Sequence, residues 1–467
     1  MTAKCVLAAG ATWLVLAAGL VRADEPITAA LPVIPEAKFN LADFGGVGDY
    51  KTLNTDAFKN AVAAVAKAGG GHLIVPAGTY KTLAFQLTSH MDLHLDPGAT
   101  IKAPEELAEY GIADPNAPST RPTGRGGFGA GPRLAALISC PANSTDISIT
   151  GSGTIDGSGQ NFWIWSDKAA RRYPQGRRVV SRPGLVSLSG QRLLVDGITL
   201  TDSPMFHLVP RGSDITVQNL RIVAPSDAPN TDAMDPGGQR IVIRNCEIDT
   251  GDDNVALQSG SKDVLIENLT CLHGHGISIG SGTRTGLSHV IVRNCTFDGG
   301  DNGLRIKSYR GNGGEVHDIS YSDIVMKNVR RPIDINMLYN GNANMPTDVG
   351  PREAEAGQTQ NIPNFHDIHF TNITVTRSPL AGRILGVPEQ MPHDFTFTNV
   401  TVDSVLGFLV QDGKGITFDH VTINAAVGKP LVLDNGSVSW NGTEQSGTSG
   451  GSAVPFYAGG TAYSPGG

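Results

Sequence analysis

From about residue 193 the chain repeats itself, and the repeat leaves few folds open. Its units read LLVDGITL, ITVQNLRI, IVIRNCEI, VLIENLTC, VIVRNCTF, ISYSDIVM, IHFTNITV, FTFTNVTV and ITFDHVTI. They align on a pivot column of Gly197, Asn219, Asn245, Asn268, Asn294, Asp323, Asn372, Asn399 and His420. Most steps between pivots are 21 to 29 residues and one is 49, so that unit holds a long loop or a degenerate extra turn. Self-similarity at such a period marks a solenoid.

The neighbouring columns say which solenoid. Two residues before the pivot stand Val195, Val217, Ile243, Ile266, Val292, Tyr321, Phe370, Phe397 and Phe418; one and three residues after it the positions are again apolar. Inward positions of one strand are two apart, whereas the step from −2 to +1 is three, so the alternation breaks at the pivot. A bend there, in a left-handed backbone that Asn tolerates, explains both the break and the residue type. Each unit is strand, bend, strand, loop and third strand. The expected fold is all-β, a right-handed parallel β-helix of roughly ten coils. TDAFKNAVAAVAKAGGG, with a Thr start and Phe58, Val62 and Val65 on one face, is a helix capping the first coil within a cap spanning about 40–80. Its glycines follow the helix, whereas a phosphate loop precedes one.

The ends differ from the middle. Lys4, an apolar run and Val21-Arg22-Ala23 make residues 1–23 a secretory signal, too short for a membrane span, and predict a secreted protein. Residues 24–442 are then one β-helix domain, and 443–467 a Gly/Ser-rich disordered tail. Residues 1–23 hold Lys4 and Arg22 and no acid, so without them the formal net charge moves from −8 to −10. Nucleic acid and membrane are poor partners for such a chain, and a polyanionic substrate requires a local basic patch. Nothing in the residues calls for a cofactor or a partner subunit, and a monomer is expected. Cys246, Cys271 and Cys295 occupy core columns; the same-column pair lies two coils apart, roughly 9–10 Å, beyond disulfide reach, so they read as buried thiols. The sequons at Asn268, Asn294, Asn372 and Asn399 fall on the bend column and read as structural; Asn441-Gly-Thr is the more accessible acceptor. GRGGFGAGPR (124–133) reads as a flexible loop.

Polar residues converge in the third strand. DDNVALQS (252–259), GHGISIGS (274–281) and DNGLRIKS (301–308) align by Val255, Ile277 and Leu304 and by Leu257, Ile279 and Ile306. NTDAMDP (230–236) enters the same place. Asp232, Asp253, His275 and Asn302 then share one column at coil spacing, about 4.8 Å, with Asp252 one residue earlier. Alternation turns Arg305 and Lys307 outward beside Ala256, Ser278, Gly280 and Gln258, which leaves a groove floor. Asp232 alone, or Asp252 with Asp253, is equally a hydrated turn; His275 is equally a bend residue, and His273-Gly-His275 hints at metal. Three aspartates also suit calcium, but Arg305 and Lys307 oppose a cation there, so no metal is expected. Gathered on one groove, the set reads as catalytic.

NTDAMD, GDDN, GHG and RIK, in that order and spacing, resemble the four signatures of the polygalacturonases of glycoside hydrolase family 28, and the N-terminal DFGGVGD and GGGHLIVPAGTY extend the likeness over nearly all of the mature chain. The resemblance implies hydrolysis of α-1,4-linked galacturonate in pectin, with inversion. Asp252 would be the general acid, Asp232 and Asp253 would activate water, and His275 would hold the acid's protonation state and geometry. Arg305 and Lys307 would bind the substrate carboxylate. Tyr339, in MLYNG, matches the family's substrate-contacting tyrosine; Asn230 and Gln258 are further candidate substrate contacts. An inverting pair is ordinarily roughly 6.5–9.5 Å apart, which neighbouring coils can span, and crowding three carboxylates should raise the acid's pKa. RRYPQGRR (171–178) extends the groove or is a solvated loop.

Other readings compete. Rhamnogalacturonan or xylogalacturonan is an alternative substrate. A pectate lyase shares the β-helix but needs calcium and a basic proton acceptor. A non-catalytic adhesin or polysaccharide-binding module would keep its function without Asp252. Endo or exo attack depends on the loops at 113–133, 161–182 and 339–365, whose lengths do not give their shapes.

Overall fold

The computed structural model describes residues 26–112, 134–164, 181–339 and 361–448. The signal segment, most of the three long loops, the 124–133 and 171–178 stretches and the end of the tail lie outside the described residues.

Every pivot adopts the left-handed backbone expected of it, with φ between 51° at Asn294 and 82° at Gly197. Strand pairing stops at the bend and resumes beyond it in the same register, so strands stack in parallel along a right-handed helix. One inward column runs from Leu73 through Leu93, Ile149, Val195, Val217 and Ile243 and on to Phe418. Its side chains are buried, and the aliphatic column becomes aromatic toward the C-terminus. Tyr321 stacks on Phe370 at 5.0 Å and Phe370 on Phe397 at 4.5 Å, where flat rings fill the rung spacing. The 49-residue step is a loop, since Gly314–Lys327 pairs directly with Pro363–Leu385.

At the bends the asparagines form a ladder of their own. Asn245 donates to Asn219 (3.2 Å), Asn268 to Asn245 (2.9 Å) and Asn294 to Asn268 (2.7 Å). Asn372 donates to Asp323 (2.9 Å) and Asn399 to Asn372 (3.2 Å). All four inner sequons are thus engaged by the fold, whereas Asn441 sits exposed in a turn. A second left-handed column, which the apolar pattern does not reveal, holds Asp146, Arg192, Asp214, Arg240, Asp263 and His289. Opposite charges stack there. Arg192 pairs with Asp146 (2.6 and 2.7 Å) and Arg240 with Asp214 (2.7 Å twice), and His289 meets Asp263 at 2.7 Å.

Both ends of the solenoid are covered. Thr55–Lys67 is the capping helix; Phe58 and Val65 are buried, and Phe58 stacks on Phe85 at 4.4 Å. At the other end the tail departs from expectation. Thr443–Gly447 pairs antiparallel with Gly436–Trp440, so the strand register extends past residue 442, and Trp440 packs edge-on against Phe418 at 5.8 Å. Two loop margins are also structured, with a helical turn at Gln160–Trp163 and a strand beginning at Pro363. Cys140, Cys246, Cys271 and Cys295 are all buried and unbridged; burial pushes the Cys246 and Cys295 thiols up to about 12, which leaves them inert.

Since the bend depends on φ rather than on side-chain packing, Asn268→Ala should cost about 1–2 kcal/mol and Asn268→Gly much less. Guanidinium unfolding midpoints of the two variants would measure this, and equal losses would shift the weight to the ladder bond.

Candidate active site

The third strands form one parallel sheet whose outward face is the groove. Met234 bridges Leu208 and Val255, and Val255, Ile277, Leu304 and Ile333 follow in register. These buried residues anchor the strands and leave alternate residues to face out. Ala256, Ser278, Arg305 and Asp334 therefore stand in one outward column. The strands are entered through tight bends. Gly274 and Gly276, at φ +121° and +76°, flank His275; a Cβ on Gly276 would lie 2.0 Å from the Gly303 carbonyl oxygen, so the histidine is held by backbone packing on both sides.

The expected set largely assembles. Asp232, Asp252, Asp253 and Lys307 are buried, and His275 is half-buried. His275 Nδ1 lies 2.8 Å from Asp252 Oδ1, and the same oxygen accepts from the Asp253 backbone N–H at 3.0 Å. Asp253 collects three donors, Lys307 Nζ at 2.5 Å, Ser278 Oγ at 2.9 Å and Arg305 Nη1 at 3.4 Å. The Tyr339 ring lies 5.2 Å from the Arg305 guanidinium and 5.5 Å from Lys307 Nζ, a cation–π contact with both. Gln258 Nε2 donates to Asp235 at 3.0 Å, at the margin of the carboxylate cluster, and the Asn230 amide oxygen accepts from Arg182 at 2.9 Å.

Asp235 is the residue that the motif reading passed over. It is buried, and it follows Met234 as Ala256 follows Val255, which puts it on the groove floor. Burial, then the charge of Asp253, pushes its carboxyl up to about 7, against the opposing pull of Arg211 and Lys307. Burial, followed by Asp252, Asp235 and Asp253, raises Asp232 well above the carboxylate range, and among the described residues its Oδ1 meets no donor. Crowding thus acts most visibly on Asp232 and Asp235. Beneath them the buried His207 is pushed down to about 4 by desolvation; its Nδ1 lies 3.1 Å from the Asp232 carbonyl oxygen, so a neutral ring fixes that backbone. Burial acts upward on Asp301 too, but Arg331, His275 and Arg330 outweigh it and hold the carboxylate low, opposite His275.

Two geometric points bear on chemistry. One oxygen each of Asp252 and Asp253 and a ring nitrogen of His275 lie within 4.8 Å of one another. The roughly 6.5–9.5 Å of an ordinary inverting pair is expected here of acids on neighbouring coils, not of two consecutive residues in one bend. The same three groups are near enough to share an ion, but Lys307 and Arg305 already donate to Asp253, and two fixed cations repel a third.

The raised carboxyls cost stability once they ionise. A carboxyl whose folded pKa exceeds its unfolded one contributes fully below the unfolded value and loses that contribution as pH rises through the folded one. For Asp235 the window runs from about 4 to about 7. Asp235→Asn should therefore melt like the wild type at pH 4 and a few degrees higher at pH 8, in thermal scans at both pH values. Identical melting at both would refute this electrostatic account.

Comparison with known proteins agrees with the geometry. Residues 134–407 match glycosyl hydrolases family 28. A polygalacturonase of Juniperus ashei is 31% identical over 406 residues, covering 84% of this chain and 72% of that protein. An endo-polygalacturonase of Pectobacterium carotovorum subsp. carotovorum is 31% identical over 337 residues, 68% of this chain and 76% of its own. In fold, the chain is similar to a hyperthermoactive exopolygalacturonase from Thermotoga maritima, with a TM-score of 0.68 at 24% identity over 91% of this chain and 94% of that one. A β-helix whose groove gathers carboxylates, histidine and cations, with relatives of this extent, places the chain in glycosyl hydrolases family 28.

Proposed function

We propose that this protein is a secreted, monomeric hydrolase that cleaves α-1,4-galacturonosidic bonds of polygalacturonate with inversion. The observation that carries the reading is one groove in which Asp252, paired with His275 at 2.8 Å, adjoins Asp253 under Lys307 and Arg305. Carboxyls supply acid and base; the cations suit a sugar that bears a carboxylate. Secretion rests on the signal-like residues 1–23, and no helix among the described residues is long and apolar enough to cross a membrane. The monomer rests on the capping helix over the first coil and on the short hairpin that follows the last one; light scattering on the purified protein tests it.

In this mechanism Asp252 protonates the leaving glycosidic oxygen, and His275 orients it and balances the carboxylate that remains. Asp253 already accepts from three donors and enters the reaction as the acceptor that draws a proton from the attacking water, while Asp232, whose carboxyl burial and its neighbours favour as neutral, positions that water by hydrogen bonding. Burial and mutual repulsion, which raise Asp232 and Asp235, oppose ionising every carboxyl of the cluster at once, an environment that suits a carboxyl acting as an acid beside one acting as a base. Arg305 and Lys307, flanked by the Tyr339 ring, take the substrate carboxylate.

Purified protein incubated with polygalacturonate should release reducing ends with no ultraviolet-absorbing unsaturated product. Asp252→Asn should lose about 10²–10⁴-fold in rate, with a smaller loss on an activated aryl galacturonide that needs no acid. Unsaturated product and chelator sensitivity would mean a lyase. Release from rhamnogalacturonan or xylogalacturonan alone would move the substrate. Binding unaffected by Asp252→Asn, with no turnover, would leave a binding module.

Rate should follow a bell-shaped profile with an acidic-to-neutral optimum, limited on the acid side by protonation of the base and on the alkaline side by loss of the Asp252 proton. An optimum above pH 9 would sink the assigned roles. Proton magnetic resonance of the first product settles the stereochemistry. The β-anomer means inversion, and the α-anomer would make Asp253 a nucleophile, as its closeness to Asp252 would then allow.

A further inference from the structure

Arg305 and Lys307 stand two coils beyond the coil of Asp252 and Asp253. Two coils before it, on the same sheet, stands Arg211. In register its neighbours are Ser189 on one side and Gly237 on the other. The Arg211 side chain leans toward the aspartates over Gly237, where a Cβ would lie 2.3 Å from its Nη1 and 3.3 Å from the Gln258 side chain. Gly237 is not in a left-handed backbone; what it provides is room for the guanidinium. Arg211 is half-buried, and among the described residues it forms no ion pair. Desolvation already tells on it, lowering its pKa, with Asp235 the acid that acts on it in return. A half-desolvated guanidinium with spare donors, in a groove, suits a planar anion.

A polyuronate carries a carboxylate on every residue, so a chain lying across the aspartates brings anions to both sides of them. Resting on the functional reading above, we propose that Arg211, leaning across Gly237, is a second carboxylate-binding cation of the groove, holding a uronate on the side of the aspartates away from Arg305 and Lys307. Arg211 then governs how the chain is registered over the cutting point.

The test compares the wild type with Arg211→Gln, Arg211→Lys and Gly237→Ala on galacturonate oligomers from the shortest one cleaved up to the hexamer. Arg211→Gln should raise KM on the hexamer about tenfold, equivalent to about 1.4 kcal/mol, with kcat little changed, and should shift which bond is cut. On the shortest oligomer, which does not reach Arg211, the variant should match the wild type. Gly237→Ala, which displaces the guanidinium while keeping its charge, should mimic Arg211→Gln; Arg211→Lys should fall between. A wild type that cuts no galacturonan overturns the functional reading and this inference together. A wild type that cuts it while Arg211→Gln behaves identically at every length overturns the inference alone. A loss equal at all lengths does the same, because it marks a structural role.

Discussion

A left-handed residue placed once per coil, at the same point of each unit, is the constraint on which the rest depends. It costs an ordinary residue about 1–2 kcal/mol, and asparagine meets it while donating its amide to the coil below. Because every coil turns at the same place, residues separated by one unit become neighbours at strand spacing. Register between coils is thereby set, and a side chain distant in sequence acquires a fixed partner.

The groove exploits that stacking. Coil spacing brings carboxylates from separate units close enough to repel, and cations reaching in from two coils away offset the crowding. Asp253 illustrates the balance, with Lys307, Arg305 and Ser278 all donating to it. Asp232 and Asp235 illustrate the remainder, carboxyls that burial and neighbouring charge favour as neutral acids. These electrostatics oppose ionisation of the folded site and so tie its stability to pH.

Much of this was legible in order of residues. The break from two to three in apolar spacing located the bends, and the aligned third strands located Asp232, Asp253 and His275 on one column and Arg305 and Lys307 on its outward face. Asp235 was legible by the same alternation but was masked by the stronger signature around it. The charged ladder through Asp146, Arg192 and Asp214 was not, because apolar periodicity carries no information about which exposed residues meet. The strand at Thr443–Gly447 was missed because Gly- and Ser-rich composition argues for disorder, whereas a free sheet end offered it hydrogen-bond partners.

The sequence by itself determined the coil, its bends, the inward columns and the set of residues that face the groove, since these follow from local backbone preference and period. Tertiary structure decided distances and occupancy. It brought Asp252, Asp253 and His275 within 4.8 Å of one another, turned Asn230 toward Arg182 and Gln258 toward Asp235, and swung Arg211 across Gly237. The reason is that a period gives the direction of a side chain, but its reach and its partner depend on the room left by residues one and two coils away.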